Sequence, residues 1–206
     1  MTAHNATLNG SWPVSAQIGR IWFRWRSFSP VPLFVMLFLL PSEFKCSVAQ
    51  YGLLILGVFL AEGLRVWSVG HAGSNTRTRG ETVNQLVHAG PYQFVRNPLY
   101  IANVAMYTFC GMIFGFGLLS FFIFIYSSLE YYFIVSFEEQ VLSKTFGQSY
   151  LDYCEKVPRW VPSFKPACVS SGHIFNLGRA LKSEKSTFYS MTAMAFGFFI
   201  KAVFLK

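Results

Sequence analysis

The sequence predicts an all-α integral membrane protein with four to five transmembrane helices, and three observations carry that expectation. Hydrophobic residues make up 53% of the 206-residue chain and charged residues only 13%, about half the charged share of an average soluble domain. The apolar residues gather into runs, and the mean hydropathy is +0.39. The charge balance is 17 Lys and Arg against 9 Asp and Glu, a net +8, and the basic residues lie between or beside the apolar runs. That placement points to the cytoplasmic side and anionic headgroups rather than to nucleic acid. Disorder is excluded by the same composition. Cys46, Cys110, Cys154 and Cys168 are too scattered for a disulfide framework. No signal peptide is read, since the first apolar run begins only near Val31 with no small-residue cleavage site after it.

Each element follows from the pattern. The first run, Val31 to Leu40, is bracketed by Pro30, Pro32 and Pro41 and can span only by recruiting Trp22 to Phe28. The second runs from Val48 through Glu62 and Arg65 to Val69, and those two charges share one helical face at i, i+3, where they can pair. From Leu99 to Phe137 there are 39 residues with one charge, Glu130, too many for a single span of about 20. Gly111, Gly115 and Gly117 mark the fold-back, so the stretch divides into helices at roughly Leu99 to Phe114 and Leu118 to Phe137. With an even number of spans, all the basic segments fall on one side, which sets the N-terminus in the cytoplasm. Beyond Phe137, Val141, Leu142, Phe146, Tyr150, Leu151 and Tyr153 recur at helical spacing until Val157-Pro158. A C-terminal apolar helix at about 187–205 is either a short fifth span or an interfacial helix. The chain reads as one domain, 1–206, with its polar motifs in 85–162.

Two polar segments stand out. One ends in HAGPYQFVRNPLY, His88 to Tyr100; the other begins at Glu138-Glu139 and runs to Pro162. If the third and fourth helices form a hairpin, these segments meet at one cytoplasmic mouth. It offers tyrosine rings, the Arg96 guanidinium and two carboxylates, a set suited to a ligand with an amino group, hydroxyls and a flat ring. Read without further context, the same residues serve as topology charges and interfacial aromatics.

The order and spacing of GPYQFVRNPLY and EEQVLSKTFGQSYLDYCEKVPRWVP resemble the isoprenylcysteine carboxyl methyltransferase and phospholipid methyltransferase superfamily, over about Gln85 to Pro162. These are integral membrane enzymes that use S-adenosyl-L-methionine. The resemblance implies that Asn84, Gln85, Leu86 and Val87 run beside the cofactor and that Tyr92 contacts it. It also implies that Asn97, Pro98, Leu99 and Tyr100 line the same pocket and that Glu138 holds a polar group of the cofactor. Many members read Arg-His-Pro where this chain has Arg96-Asn97-Pro98, a change that keeps a hydrogen-bonding side chain. The eukaryotic prenylcysteine enzymes carry a substrate-side arginine four residues before the glutamate pair, and Ile134 stands there in this chain. That difference tilts the acceptor away from a prenylcysteine carboxylate and toward an amine, which must lose a proton to a nearby carboxylate. Glu139 or Glu130 is expected to take that catalytic part.

The acceptor is expected to be a lipophilic, lipid-linked or small molecule reaching the mouth from the bilayer. A metal site is not expected, because His4, His71, His88 and His173 show no ligand spacing. Three rival readings remain: an NADPH-dependent membrane enzyme like the sterol reductases, suggested by Tyr153-Cys154-Glu155-Lys156-Val157-Pro158, a non-catalytic membrane scaffold, and a degenerate family member that binds the cofactor without turnover.

Overall fold

The computed structural model describes residues 12–72, 85–167 and 175–204. Among them the secondary structure is helical throughout, with one short 3-10 turn and seven α-helices. The first, α1 (Val14–Trp25), buries Ala16, Gly19 and Phe23 along one face, packed against the long helix α5 (Leu118–Phe146). Gly19 is required there, since a Cβ would run into the Phe133 carbonyl oxygen.

The expected merger of Trp22–Phe28 with the first apolar run does not occur. Instead α1 ends, the chain turns through 26–29, and α2 (Pro30–Leu39) starts afresh. Pro30 lacks the N–H that a continuous helix would need, and it is favoured at a first helical position. At ten residues α2 is about 15 Å long, half the thickness of a bilayer's hydrocarbon core.

Two helices, α3 (Val48–Ala72) and α5, are long and apolar enough to cross a membrane. Their outer faces expose Leu53, Phe59 and Leu60 on α3 and Phe121, Phe122 and Leu129 on α5. A surface so apolar fits lipid, not water. Within α3 the expected Glu62–Arg65 pair forms at 3.2 Å.

The hairpin forms as expected between α4 (Pro98–Ile113) and α5. Its turn uses Gly115 at φ +81°, a conformation that favours glycine. The Gly115 carbonyl accepts from the N–H groups of Glu43 and Phe44, and the Glu43 carboxylate accepts from those of Gly117 and Leu118 at 2.8 and 3.1 Å. A side chain from the α2–α3 loop thus caps α5 and places a negative charge at the positive end of its dipole.

Helix α5 runs nine residues past the expected end at Phe137. Its EEQVLSKTF stretch contains no helix breaker before Gly147, which sits at φ +54°. The short α6 (Gln148–Lys156) follows and stops at Val157-Pro158. The C-terminal helix α7 (Leu177–Phe204) begins well before the expected position near 187, because Asn176 Oδ1 accepts from the Arg179 N–H and caps its start. Its Lys201 is buried, and Nζ donates to the Leu37 and Leu40 carbonyls at 2.7 and 2.6 Å, closing the C-terminal end of α2.

Candidate active site

The segment before α4 is pinned by the segment after α6. Gly90 opens the 3-10 turn Gly90–Gln93 at φ +60°, where a Cβ would also strike the His71 ring. Beyond it the Arg96 N–H donates to Pro158 O at 2.9 Å, the Ser163 N–H to Phe94 O and the Ala167 N–H to Gln93 O. Asn97 Nδ2 donates to the Arg159 carbonyl at 3.1 Å, and the Tyr153 hydroxyl donates to Tyr92 O at 2.8 Å. Residues 158–167 therefore form a strap that fixes the turn by backbone bonds.

The two polar segments that the sequence separates by about forty residues come together around one cavity of about 150 Å³. Gln85, Leu86 and Val87, Tyr92, Asn97 to Tyr100, and Glu138 and Glu139 all line it. Asn84 lies outside the described residues. Glu130 does not line this cavity: it sits two turns before Glu138 on α5, buried at 3% exposure and facing Ser29. Arg96, Tyr150, Tyr153, Phe23 and Phe137 also contribute to the wall.

The two glutamates have different partners. Glu138 Oε1 accepts from the Tyr100 hydroxyl at 2.7 Å and lies 3.8 Å from Arg26. Glu139 is held between two guanidiniums, Arg96 at 3.2 Å and Arg159 at 2.9 Å. Arg159 also donates to Ser136 Oγ, and Arg96 donates to the Cys154 sulfur. Two buried atoms here, Arg96 Nε and Arg159 Nε, make no hydrogen bond within the protein, while Glu139 Oε1 faces Arg96 as an ion pair. Arg96 lines the cavity, and an unsatisfied polar atom there is unusual and suits a polar ligand.

Burial pushes the phenols of Tyr92, Tyr150 and Tyr153 well up, so they stay neutral donors, and the Glu138 charge adds to the effect on Tyr92. Burial acts most strongly on the Arg96 guanidinium, lowering it, but Glu139, Cys154 and Tyr150 together outweigh burial and the net shift is upward. The Cys154 thiol is also raised, by burial, with Arg96 opposing.

Ile134, standing where the prenylcysteine enzymes carry an arginine, is fully buried among Phe23, Tyr131, Phe137 and Val141. That position is a dry core, and the cationic groups beside the two glutamates are Arg26, Arg96 and Arg159. Lys144 lies over the Trp12 ring, 4.7 Å from its centroid. Sequence reasoning misses Arg26, whose partner Glu138 is far along the chain, and reads Tyr150 and Tyr153 only as an amphipathic stripe. Their i, i+3 spacing on α6 is the available signal.

Among the described residues, an all-helical fold with two helices apolar enough to cross a membrane, beside a cavity of acidic, amide, phenolic and guanidinium groups, fits the class of helical membrane proteins. The sequence model of the phospholipid methyltransferase family matches residues 47–149, half of the chain, and the chain belongs to that family. The matched stretch covers α3, α4 and α5 and leaves α1, α2 and α7 outside. No curated protein and no solved structure matches the chain significantly.

Proposed function

We propose that the protein is a multi-pass membrane enzyme that transfers a methyl group from S-adenosyl-L-methionine to a lipophilic acceptor, with the cavity between the α4 and α5 ends as cofactor site on the cytoplasmic side. The observation that carries this reading is the convergence of Tyr92 and Asn97–Tyr100 with Glu138 at one cavity in a member of a methyltransferase family. The donor set fits the cofactor: a carboxylate for its amino group, guanidinium and amide groups for its carboxylate and hydroxyls, and tyrosine rings for its purine. Family membership favours methyl transfer over the reductase and scaffold readings.

The bound cofactor supplies an electrophilic methyl carried on a sulfonium. The protein's part is alignment, exclusion of water and placement of charge. Glu138, oriented by Tyr100 and Arg26, binds the cationic end of the cofactor. Glu139 is already paired with both Arg96 and Arg159, so it fixes those guanidiniums and is poorly placed as a proton acceptor. An ionised carboxylate acceptor needs no base. An amine acceptor arrives protonated and must release one proton, to water or to a carboxylate at the mouth, before its lone pair attacks. The dry surroundings of Ile134 offer a carboxylate no counter-charge and favour the amine, in keeping with phospholipid acceptors.

The test is calorimetric titration of the detergent-purified protein with S-adenosylhomocysteine and separately with NADPH, followed by transfer of a labelled methyl to extracted lipids, to aminophospholipid and to a prenylcysteine analogue. Binding of NADPH alone overturns the reading. Base-labile ester formation on the analogue overturns the amine assignment.

A further inference from the structure

A second space opens among α2, α4 and α7, mostly outside the stretch that the family model matches. It consists of two adjoining cavities of about 430 and 580 Å³, with Ser27, Pro30, Arg65, Tyr107 and Thr187 in the walls of both. One end is hydrocarbon: Phe34 and Phe38 of α2 face Met106 of α4 and Met191, Ala193 and Met194 of α7. The other end is polar, with Arg26, Asn103, Tyr131 and Glu184. That polar end adjoins the candidate cofactor cavity, because Leu99 and Tyr100 line both. Polarity therefore rises along the cleft toward the Tyr100–Glu138 hydrogen bond.

The polar end is built and incompletely satisfied. Arg65 is fixed by Glu62 at 3.2 Å and Glu184 at 2.7 Å, with Thr187 at 3.1 Å. Asn103 Nδ2 donates to the Tyr131 hydroxyl at 3.0 Å, which orients the amide, and its Oδ1 is buried with no donor. Asn103 as a whole is only 8% exposed, so that acceptor faces no bulk water. A buried acceptor at the head of an apolar cleft calls for a ligand donor. From Ser186 to Gly197 the α7 wall runs about 16 Å at 1.5 Å per residue, enough for one extended hydrocarbon chain.

We infer that this cleft holds the methyl acceptor, a membrane amphiphile with one hydrocarbon chain between α2 and α7 and a donor-bearing, amine-type head at Asn103 and Tyr100. This rests on the function proposed above and adds to it the place and chemistry of the acceptor. Helices α2 and α7 thereby become the walls of the chain site, and Met106, Met191 and Met194 supply a deformable lining for chains of differing shape.

The experiment is photo-crosslinking in nanodiscs with a phosphatidylethanolamine carrying a diazirine at the end of one chain, in parallel with a diazirine fatty acid, and adducts mapped by mass spectrometry. The phosphatidylethanolamine probe is expected to label the segments around Met106 and Met191–Met194 above lipid-facing residues such as Phe121 and Phe122. Ala193→Trp and Gly197→Phe, which fill the cleft at two places, should each lower that labelling at least tenfold. At Gly197 a Cβ meets only the Phe38 ring at 3.7 Å, so the backbone accepts a side chain there. Monodisperse elution identifies the folded variants. Labelling spread evenly over the lipid-facing helices, or unchanged in a folded variant, overturns the inference, and equal cleft labelling by the fatty acid overturns the amine-type head. Failure of the wild-type protein to bind S-adenosylhomocysteine, with cleft labelling intact, instead sinks the proposed function and leaves the cleft a lipid site.

Discussion

Arg65 of α3 and Glu184 of α7 meet at 2.7 Å, both nearly buried, and Glu62 approaches the same guanidinium from its other side at 3.2 Å. This ion pair ties the C-terminal helix to the core. Glu184→Ala leaves Arg65 paired with Glu62, so the loss is that of one charge-assisted bond, about 1.5 to 3 kcal/mol. The thermal midpoint in detergent is therefore expected to fall by roughly 5 °C. A midpoint within a degree of wild type would mean that this ion pair does not hold α7.

Two glycines give opposite expectations. Gly19→Ala drives a methyl into the Phe133 carbonyl, so α1 must move off α5 at a cost of about 1 to 3 kcal/mol. Gly52→Ala, on the open face of α3 with nothing within 4 Å, removes only backbone freedom and stabilises by about 0.5 to 1 kcal/mol. Equilibrium unfolding of the pair in one detergent measures both signs.

Glu138→Gln keeps the shape and removes the charge. If Glu138 holds the cofactor's amino group, affinity for S-adenosylhomocysteine falls by about 1.5 to 3 kcal/mol, roughly ten- to a hundredfold. Tyr100→Phe removes the hydroxyl that orients this carboxylate and should weaken binding in the same direction by a smaller factor. Unchanged titrations for both variants place the cofactor elsewhere.

The Cys154 thiol supplies a pH-dependent test. Burial raises its pKa above the ordinary 9.0, so the reactive thiolate forms only at higher pH than in a free thiol. In a variant retaining only this cysteine, alkylation by iodoacetamide at pH 8 should be slower than that of glutathione and should rise steeply above pH 9. Arg96→Met removes the opposing positive charge and should slow alkylation further.

Orientation is tested with cysteines introduced at positions 74 and 149. The distribution of basic residues predicts that both lie on the cytoplasmic face, so an impermeant maleimide should reach both from the same side in sealed vesicles. Labelling from opposite sides would rule out the even number of crossings between them.

Local patterns in the sequence translate well into structure. The Glu62–Arg65 pair follows from i, i+3 spacing, the hairpin from a glycine cluster in an over-long apolar run, and the grouping of Tyr92, Asn97 and Tyr100 with Glu138 and Glu139 from that hairpin. What escapes are partners set by packing between distant elements. Nothing periodic relates Arg26 to Glu138, Glu184 to Arg65 or Lys201 to the Leu37 and Leu40 carbonyls. Hydropathy also misplaces the end of α5, since polar helix formers carry the helix beyond its apolar stretch to Gly147.

The strap at residues 158–167 has a consequence for biogenesis. Helices α3, α4 and α5 are complete by residue 146, yet the backbone partners of Gln93, Phe94 and Arg96 are Ala167, Ser163 and Pro158. A nascent chain emerging from the ribosome at about 5 to 20 residues per second has its apolar helices before it has the segment that fixes the turn beside them. The turn beside the cavity is thus fixed only after those helices have been made, in a separate and later step. A chain truncated just before Pro158 would insert yet leave that turn without its clasp.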